Sequence, residues 1–268
     1  MSESNSTISE RPLSELLQDS LISTPCVNVR KNAKVRVVAG MLVQYLETFT
    51  DSVVVRDGVK PIGVIGGREI IQGVYKNPSS DFFDMKLVED IADSRLNIIT
   101  PDTSIKELIS LWRGVGRAFT LINMGNDDYS VISVKKLLEI GINNDFEFYI
   151  SEIPKKKIVT FGQDATFGDI MKLMLENKTR KILFEGTNQF INDRIIIETI
   201  ENSDYLLSTE NFLDIPVSVA PLEEAKVVSE DLSLSDISKI MYEMSQPLII
   251  HEDRVISPWD ICIALGKN

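Results

Sequence analysis

Apolar and polar positions repeat in one order four times along the chain. Residues 13–16 carry a short helical signal, residues 26–29 read as extended, and apolar spacing from Val35 to about Leu46 predicts a helix. Residues 53–55 then read as a buried strand, Asp57-Gly58 as a hairpin turn, residues 62–65 as the returning strand and residues 68–75 as a closing helix. The order starts again with a lead-in at 88–91, a strand at 96–99, a helix at 105–112, strands at 119–122 and 129–132, and a helix at 134–140. A third copy has a lead-in at 150–153, a strand at 158–160, a helix at 167–175, and strands at 182–184 and 190–191. The fourth runs through 212–215, 226–229, the helix 234–244, the strands 248–250 and 255–256, and a last helix with Pro258 in its first turn.

Gly66, Ser133, Asn192 and Ser257 hold the same place in the four copies and are 67, 59 and 65 residues apart. The first helices open at Val35, Ile105, Phe167 and Leu234, and the next strand follows 18, 14, 15 and 14 residues later. Such regular internal spacing marks a repeat architecture. A repeat of roughly 60 residues has little core of its own, and apolar triplets such as 53–55 need cover on both faces. The repeats are therefore expected to associate in two pairs, with a seam in the polar stretch 142–148. Residues 1–11, rich in Ser and Glu, are expected to be a disordered tail.

Composition narrows the chemistry. The 268 residues are 43% hydrophobic and 25% charged, and 28 basic against 40 acidic residues give a net charge of −12. That balance argues against nucleic acid and anionic membrane as partners. No apolar run approaches the ~20 residues of a membrane span, and the N-terminus lacks the features of a signal peptide, so a cytoplasmic protein is expected. Cys26 and Cys262 read as reduced core thiols. His251, in the turn-like His-Glu-Asp-Arg, reads as a solvated turn residue. One histidine offers almost nothing for zinc or a Ser-His-Asp arrangement. The run 155–157 of three lysines reads as a solvated linker, and Met171, Met174, Met241 and Met244 as core residues. Glycines 63, 66 and 67 match neither a P-loop nor a dinucleotide fingerprint.

The most informative stretch is residues 255–265, where a buried strand turns into a helix. Ser257 and Asp260, three residues apart, read as an N-cap and a first-turn carboxylate. The same pair also faces one patch of space beside unpaired helix amides, where a ribose and a phosphate could be held.

With its order of elements, its Asp102-Thr-Ser-Ile-Lys-Glu-Leu helix opening and its Asp57-Gly-Val-Lys-Pro-Ile-Gly-Val-Ile turn, the chain resembles the cystathionine-β-synthase (CBS) domain family. The resemblance covers about residues 13–265 as four tandem repeats, an arrangement similar to the gamma subunit of AMP-activated protein kinase. It implies an α/β (α+β) fold of two pseudo-two-fold Bateman modules. One covers residues 12–142, with repeats 12–76 and 84–142. The other covers 150–268, with repeats 150–202 and 210–268. The family's ligand signature is a Gly, two apolar residues, Ser or Thr, two variable residues and Asp. The fourth repeat keeps Ser257 and Asp260 with Arg254 in the Gly place. The first has Gly66 and Glu69, the second Ser133 and Lys136, and the third Asn192 and Ile195. A carboxylate can accept from both ribose hydroxyls and neither Ile nor Lys can, so at most one intact site is expected, plus a marginal one at Glu69.

By the same resemblance, Asp260 works with Thr160, Ala165, Arg180, Lys181 and Leu183 of the third repeat, the basic pair serving phosphate. A weaker second site is implied at Glu69, Thr100 and Arg117. The expected protein is non-enzymatic, with no catalytic residues, catalytic cofactor or metal. It binds AMP, ADP or ATP, with S-adenosylmethionine as another ligand the family takes, and signals by conformational change. A homo-oligomer, as a homodimer or disc, and a regulated protein in trans are the implied partners. A structural scaffold with decayed sites is the alternative.

Overall fold

The computed structural model describes residues 7–22, 26–44, 52–203 and 208–267. They form two compact units that take alternate repeats. The odd unit holds residues 27–94 and 157–226, and the even unit holds 1–26, 95–156 and 227–268. Each has its own apolar core.

The odd unit contains two small sheets. β1 (Asn28–Arg30) runs parallel to β2 (Ser52–Asp57), which pairs antiparallel with β3 (Lys60–Gly66). Gly58 turns the β2–β3 hairpin at φ 62°, a left-handed conformation that glycine adopts without a Cβ penalty. β7 (Thr160–Phe161), β8 (Lys181–Phe184) and β9 (Gln189–Asn192) repeat this pattern, and β10 (Glu223–Glu224) adds an antiparallel edge. Val53, Val54 and Val55 are all fully buried, as a triplet covered on both faces must be. Helices α3 (Val35–Gln44) and α4 (Gly67–Lys76) pack against α9 (Asp193–Glu201), and α4 also meets α8 (Phe167–Asn177). The expected end of α3 at Leu46 lies outside the described residues.

The even unit is built likewise. β4 (Ile98–Ile99) is parallel to β5 (Phe119–Gly125), and β5 is antiparallel to β6 (Asp128–Ser133). β11 (Lys226–Val228) flanks β12 (Ile249–His251), which pairs antiparallel with β13 (Arg254–Ile256). Helices α6 (Ile105–Val115), α7 (Val134–Asn143), α10 (Leu234–Glu243) and α11 (Pro258–Leu265) enclose the core. The approach of α7 to α10 is close: a Cβ on Gly141 would lie only 2.3 Å from Ser238 Oγ.

Three of the first helices open on boxes visible in the sequence. Ser104 and Glu107, Thr166 and Asp169, and Ser233 and Asp236 each bond side chain to side chain across the first turn. The lead-in segments are exchanged between repeats. The Val88 amide donates to Ala33 O at 2.8 Å, and the Leu13 amide to Thr103 O at 3.0 Å. The Ile150 amide reaches Leu232 O at 3.0 Å, and the Phe167 amide reaches Ile215 O at 2.8 Å. Each lead-in thus closes the first helix of the neighbouring repeat in sequence. The short helices α1 (Leu13–Leu17) and α2 (Asp19–Ile22) accordingly belong to the even unit, and α5 (Ser80–Met85) to the odd one.

Several expectations meet a different outcome. Residues 142–148 run inside the even unit, pinned by buried Phe146, and the units divide near 26, 94, 156 and 226 instead. The helix faces group alternate repeats, a choice that depends on which surfaces mate. The modules 12–142 and 150–268 stay a proposal, for which the exchanged lead-ins are the support. Of the tail 1–11, residues 1–6 lie outside the described residues and Ile8–Glu10 form one 3-10 turn. His251 is buried in β12 rather than solvated, 3% exposed, with Nδ1 3.1 Å from Val228 O. Cys26 is only half-buried, while Cys262 lies fully inside. Met171, Met174 and Met241 are core, but Met244 is half-buried at the end of α10.

Candidate functional site

In the even unit, β13 delivers the chain to Ser257 in extended conformation, and Pro258 starts α11. Pro has no amide to leave unsatisfied there, and its fixed φ suits a first helical residue. Asp260 folds back over this turn and is 7% exposed. Its Oδ2 accepts from the Ser257 amide at 2.9 Å and from Ser257 Oγ at 2.8 Å. Its Oδ1 pairs with the Lys156 ammonium, whose side chain is 49% exposed. Lys156 is thus a partner of Asp260, where the lysine run reads from sequence as a free linker. The Ser257–Asp260 pair is a helix cap, and the buried carboxylate is compensated on both oxygens.

Beside this turn lies a cavity of about 240 Å³ lined by Phe148, Ile153, Lys156, Trp259 and Asp260 among others. Trp259 stacks on Trp112, their ring centroids 6.4 Å apart. Arg254, in the signature's Gly place, pairs with Glu252 at 2.9 Å. Two residues beyond Asp260, burial pushes the Cys262 thiol well above its usual range, with the Asp260 charge adding to the effect. Such a thiol is inert.

The second repeat lacks that carboxylate. Buried Lys136 instead bonds Glu139 at 3.1 and 3.2 Å. Thr100 is exposed just after β4 and Arg117 is half-buried after α6, both in the even unit. Glu69, the third member of the expected weaker site, belongs to the odd unit. It accepts from the Gly66 amide at 2.9 Å and from Arg68 Nε at 2.9 Å, while Arg68 Nη2 reaches Asp93 at 2.8 Å.

The other expected ligand residues also lie in the odd unit. Thr160 and Leu183 are register partners across β7 and β8, Thr160 exposed and Leu183 buried. Ala165 is half-buried, its carbonyl accepting from the Val217 amide at 2.9 Å. Lys181 sits 5.6 Å over the Phe190 ring. Arg180 is engaged by Asp193, with Nε 2.6 Å from Oδ2 and Nη2 3.2 Å from Oδ1. Asp193 carries no signal in the sequence, since it stands at a variable position of the signature between Asn192 and Ile195.

The fold has close counterparts. A Methanocaldococcus jannaschii protein, described as a candidate archaeal homologue of g-AMPK, matches 94% of this chain and 99% of its own, with a TM-score of 0.74 and 14% identity. The chain has the fold of four tandem CBS repeats. An uncharacterized conserved protein of Pyrococcus horikoshii matches 91% of this CBS-fold chain and 96% of its own, with a TM-score of 0.55 and 9% identity. No family model and no curated protein matches the sequence. Among the described residues, no helix is long and apolar enough to cross a membrane.

Proposed function

We propose that this CBS-fold chain is a non-catalytic regulatory protein that binds an adenine nucleotide, AMP, ADP or ATP, and signals by a change of conformation. The observation that carries this reading is Asp260. It is a buried carboxylate at a helix start, in the repeat that keeps both polar residues of the signature, beside a cavity with aromatic walls. Lys156 pairs with Asp260 from a half-exposed position, so an arriving ribose can displace it at modest cost. The likeness to a protein described as a candidate homologue of g-AMPK supports the same reading. Service of this nucleotide by Thr160, Ala165, Arg180, Lys181 and Leu183, and a second site at Glu69, Thr100 and Arg117, are part of the proposal. So are self-association, a partner in trans and a cytoplasmic location.

A second reading has its own observation. Asp260 has both oxygens occupied within the chain, which suits a scaffold whose helix caps outlived their ligand. Thermal shifts with AMP, ADP, ATP, NADH, S-adenosylmethionine and adenosine separate the two. A ligand at a hundred times its dissociation constant adds ~2.7 kcal/mol. A rise in melting temperature with a nucleotide is the expected result. No rise with any of the six replaces the sensor by the scaffold.

A further inference from the structure

Residues 154–158 form an exposed run outside any helix or strand. The run hangs from Ile153, which is buried in the even core and whose carbonyl accepts from Arg254 Nε at 3.3 Å. Pro154 follows at once, and its fixed φ limits the directions in which the chain can leave. Two ion pairs then tie the run to the fourth repeat. Lys155 reaches Asp253 at 2.6 Å, but both side chains are more than half exposed, so solvent screens the pair. Lys156 reaches Asp260, and this is the tie with a buried partner. Pro154 and Lys156 also line the cavity beside Asp260, and the chain passes into the odd unit directly after Lys156.

That pair sits where a ligand would have to enter. Asp260 Oδ2 already accepts from the Ser257 amide and hydroxyl, so Oδ1 is the oxygen with capacity to spare, and Lys156 holds it. We infer that residues 154–156 are an autoinhibitory strap. Lys156 competes within the chain for the carboxylate oxygen that a sugar diol needs, and the strap is released when a diol takes its place. An ammonium on a short tether is held at high effective concentration, so it competes well although water screens the pair. Because the run continues to β7, its release also loosens the connection to the first strand of the third repeat. The inference rests on the reading of Asp260 as a ribose acceptor, and it adds what regulates access to that acceptor.

The test uses the full chain and adenosine, which carries the diol and no phosphate, so that Lys156 can only oppose it. Lys156→Met, with Lys156→Gln as a second neutral variant, should bind adenosine about two- to fivefold more tightly than the wild type in isothermal titration. Lys156→Arg keeps the cation and should bind as the wild type does. With 2′-deoxyadenosine, which lacks one hydroxyl of the diol, the gain should shrink. Without ligand, trypsin should cut after residues 155–157 about two- to fivefold faster in Asp260→Asn than in the wild type, relative to cleavage elsewhere, since cutting follows the open fraction. Adenosine binding that is no tighter in the neutral variants than in the wild type overturns the strap and leaves the nucleotide reading standing. Binding by the neutral variants alone upholds the strap and removes the sensor reading from the wild-type chain. Binding by none of the proteins, an equal gain with 2′-deoxyadenosine, or unchanged cleavage in Asp260→Asn overturns the strap as well.

Discussion

Replacing Asp260 by alanine removes three polar contacts at once: the Ser257 amide, Ser257 Oγ and the Lys156 ammonium. Loss of a helix cap costs about 1 kcal/mol, within a range of about 0.5–2. The pair with half-exposed Lys156 is screened by solvent and adds less than about 1 kcal/mol. Together they amount to roughly 1–3 kcal/mol, or a fall of about 3–9 °C in melting temperature without ligand for a domain of this size. Asp260→Asn keeps one acceptor oxygen for the Ser257 amide and should lose less than half as much. If Asp260 also holds a ribose, alanine removes charge-assisted bonds of ~1.5–3 kcal/mol, which weakens nucleotide about ten- to a hundredfold. Calorimetric unfolding of the free protein and isothermal titration with nucleotide read the two effects on one variant. A variant that is less stable but binds nucleotide as the wild type does would show that Asp260 only caps the helix. A variant that melts with the wild type would refute the capping network itself.

Trp112→Phe should cost about 2–3 kcal/mol in chemical denaturation, because it opens a cavity and strands the fully buried Thr120 hydroxyl that Trp112 Nε1 reaches at 2.8 Å; a loss under about 0.5 kcal/mol would contradict that packing. Gly67→Ala should destabilise by about 1–3 kcal/mol through its clash with Asp193. A double-mutant cycle with Asp193→Gly should recover most of the loss, and strict additivity would show that the clash lies elsewhere. Burial raises the Glu201 carboxyl above its usual range, with nearby Asp84 adding to the rise against the opposing pull of Arg36. A raised native value means that stability is fully present below the unfolded value and declines as pH rises through the native one. Glu201→Gln should therefore gain on the wild type between about pH 4 and pH 7 in urea titrations; an equal difference at both ends would refute the sign.

Much of the local structure was legible because short-range rules control it. Apolar periodicity placed the helices from Ile105, Phe167 and Leu234, and the spacing of Ser104 and Glu107 announced a helix start that the fold then uses. Asp57-Gly58 marked a hairpin whose glycine takes a positive φ. The turn of Ser257, Pro258 and Asp260 was equally visible, since all its partners but one lie within three residues. That one, Lys156, stands more than a hundred residues away in the chain, and no local pattern ties it to Asp260.

The same limit applies to everything the tertiary structure alone decided. Four copies of one order of elements established that repeats exist. Which repeats share a core depends on how well whole helix faces fit, as where Gly141 admits Ser238. His251 reads as a turn residue in the sequence, but its strand is covered in the fold. Asp193 and Arg180 found each other only because α9 starts where Gly67 leaves space. Periodicity and caps are properties of a few neighbouring residues and can be read from their order. Burial and charge pairing belong to surfaces assembled from distant segments, and become defined only when the chain closes on itself.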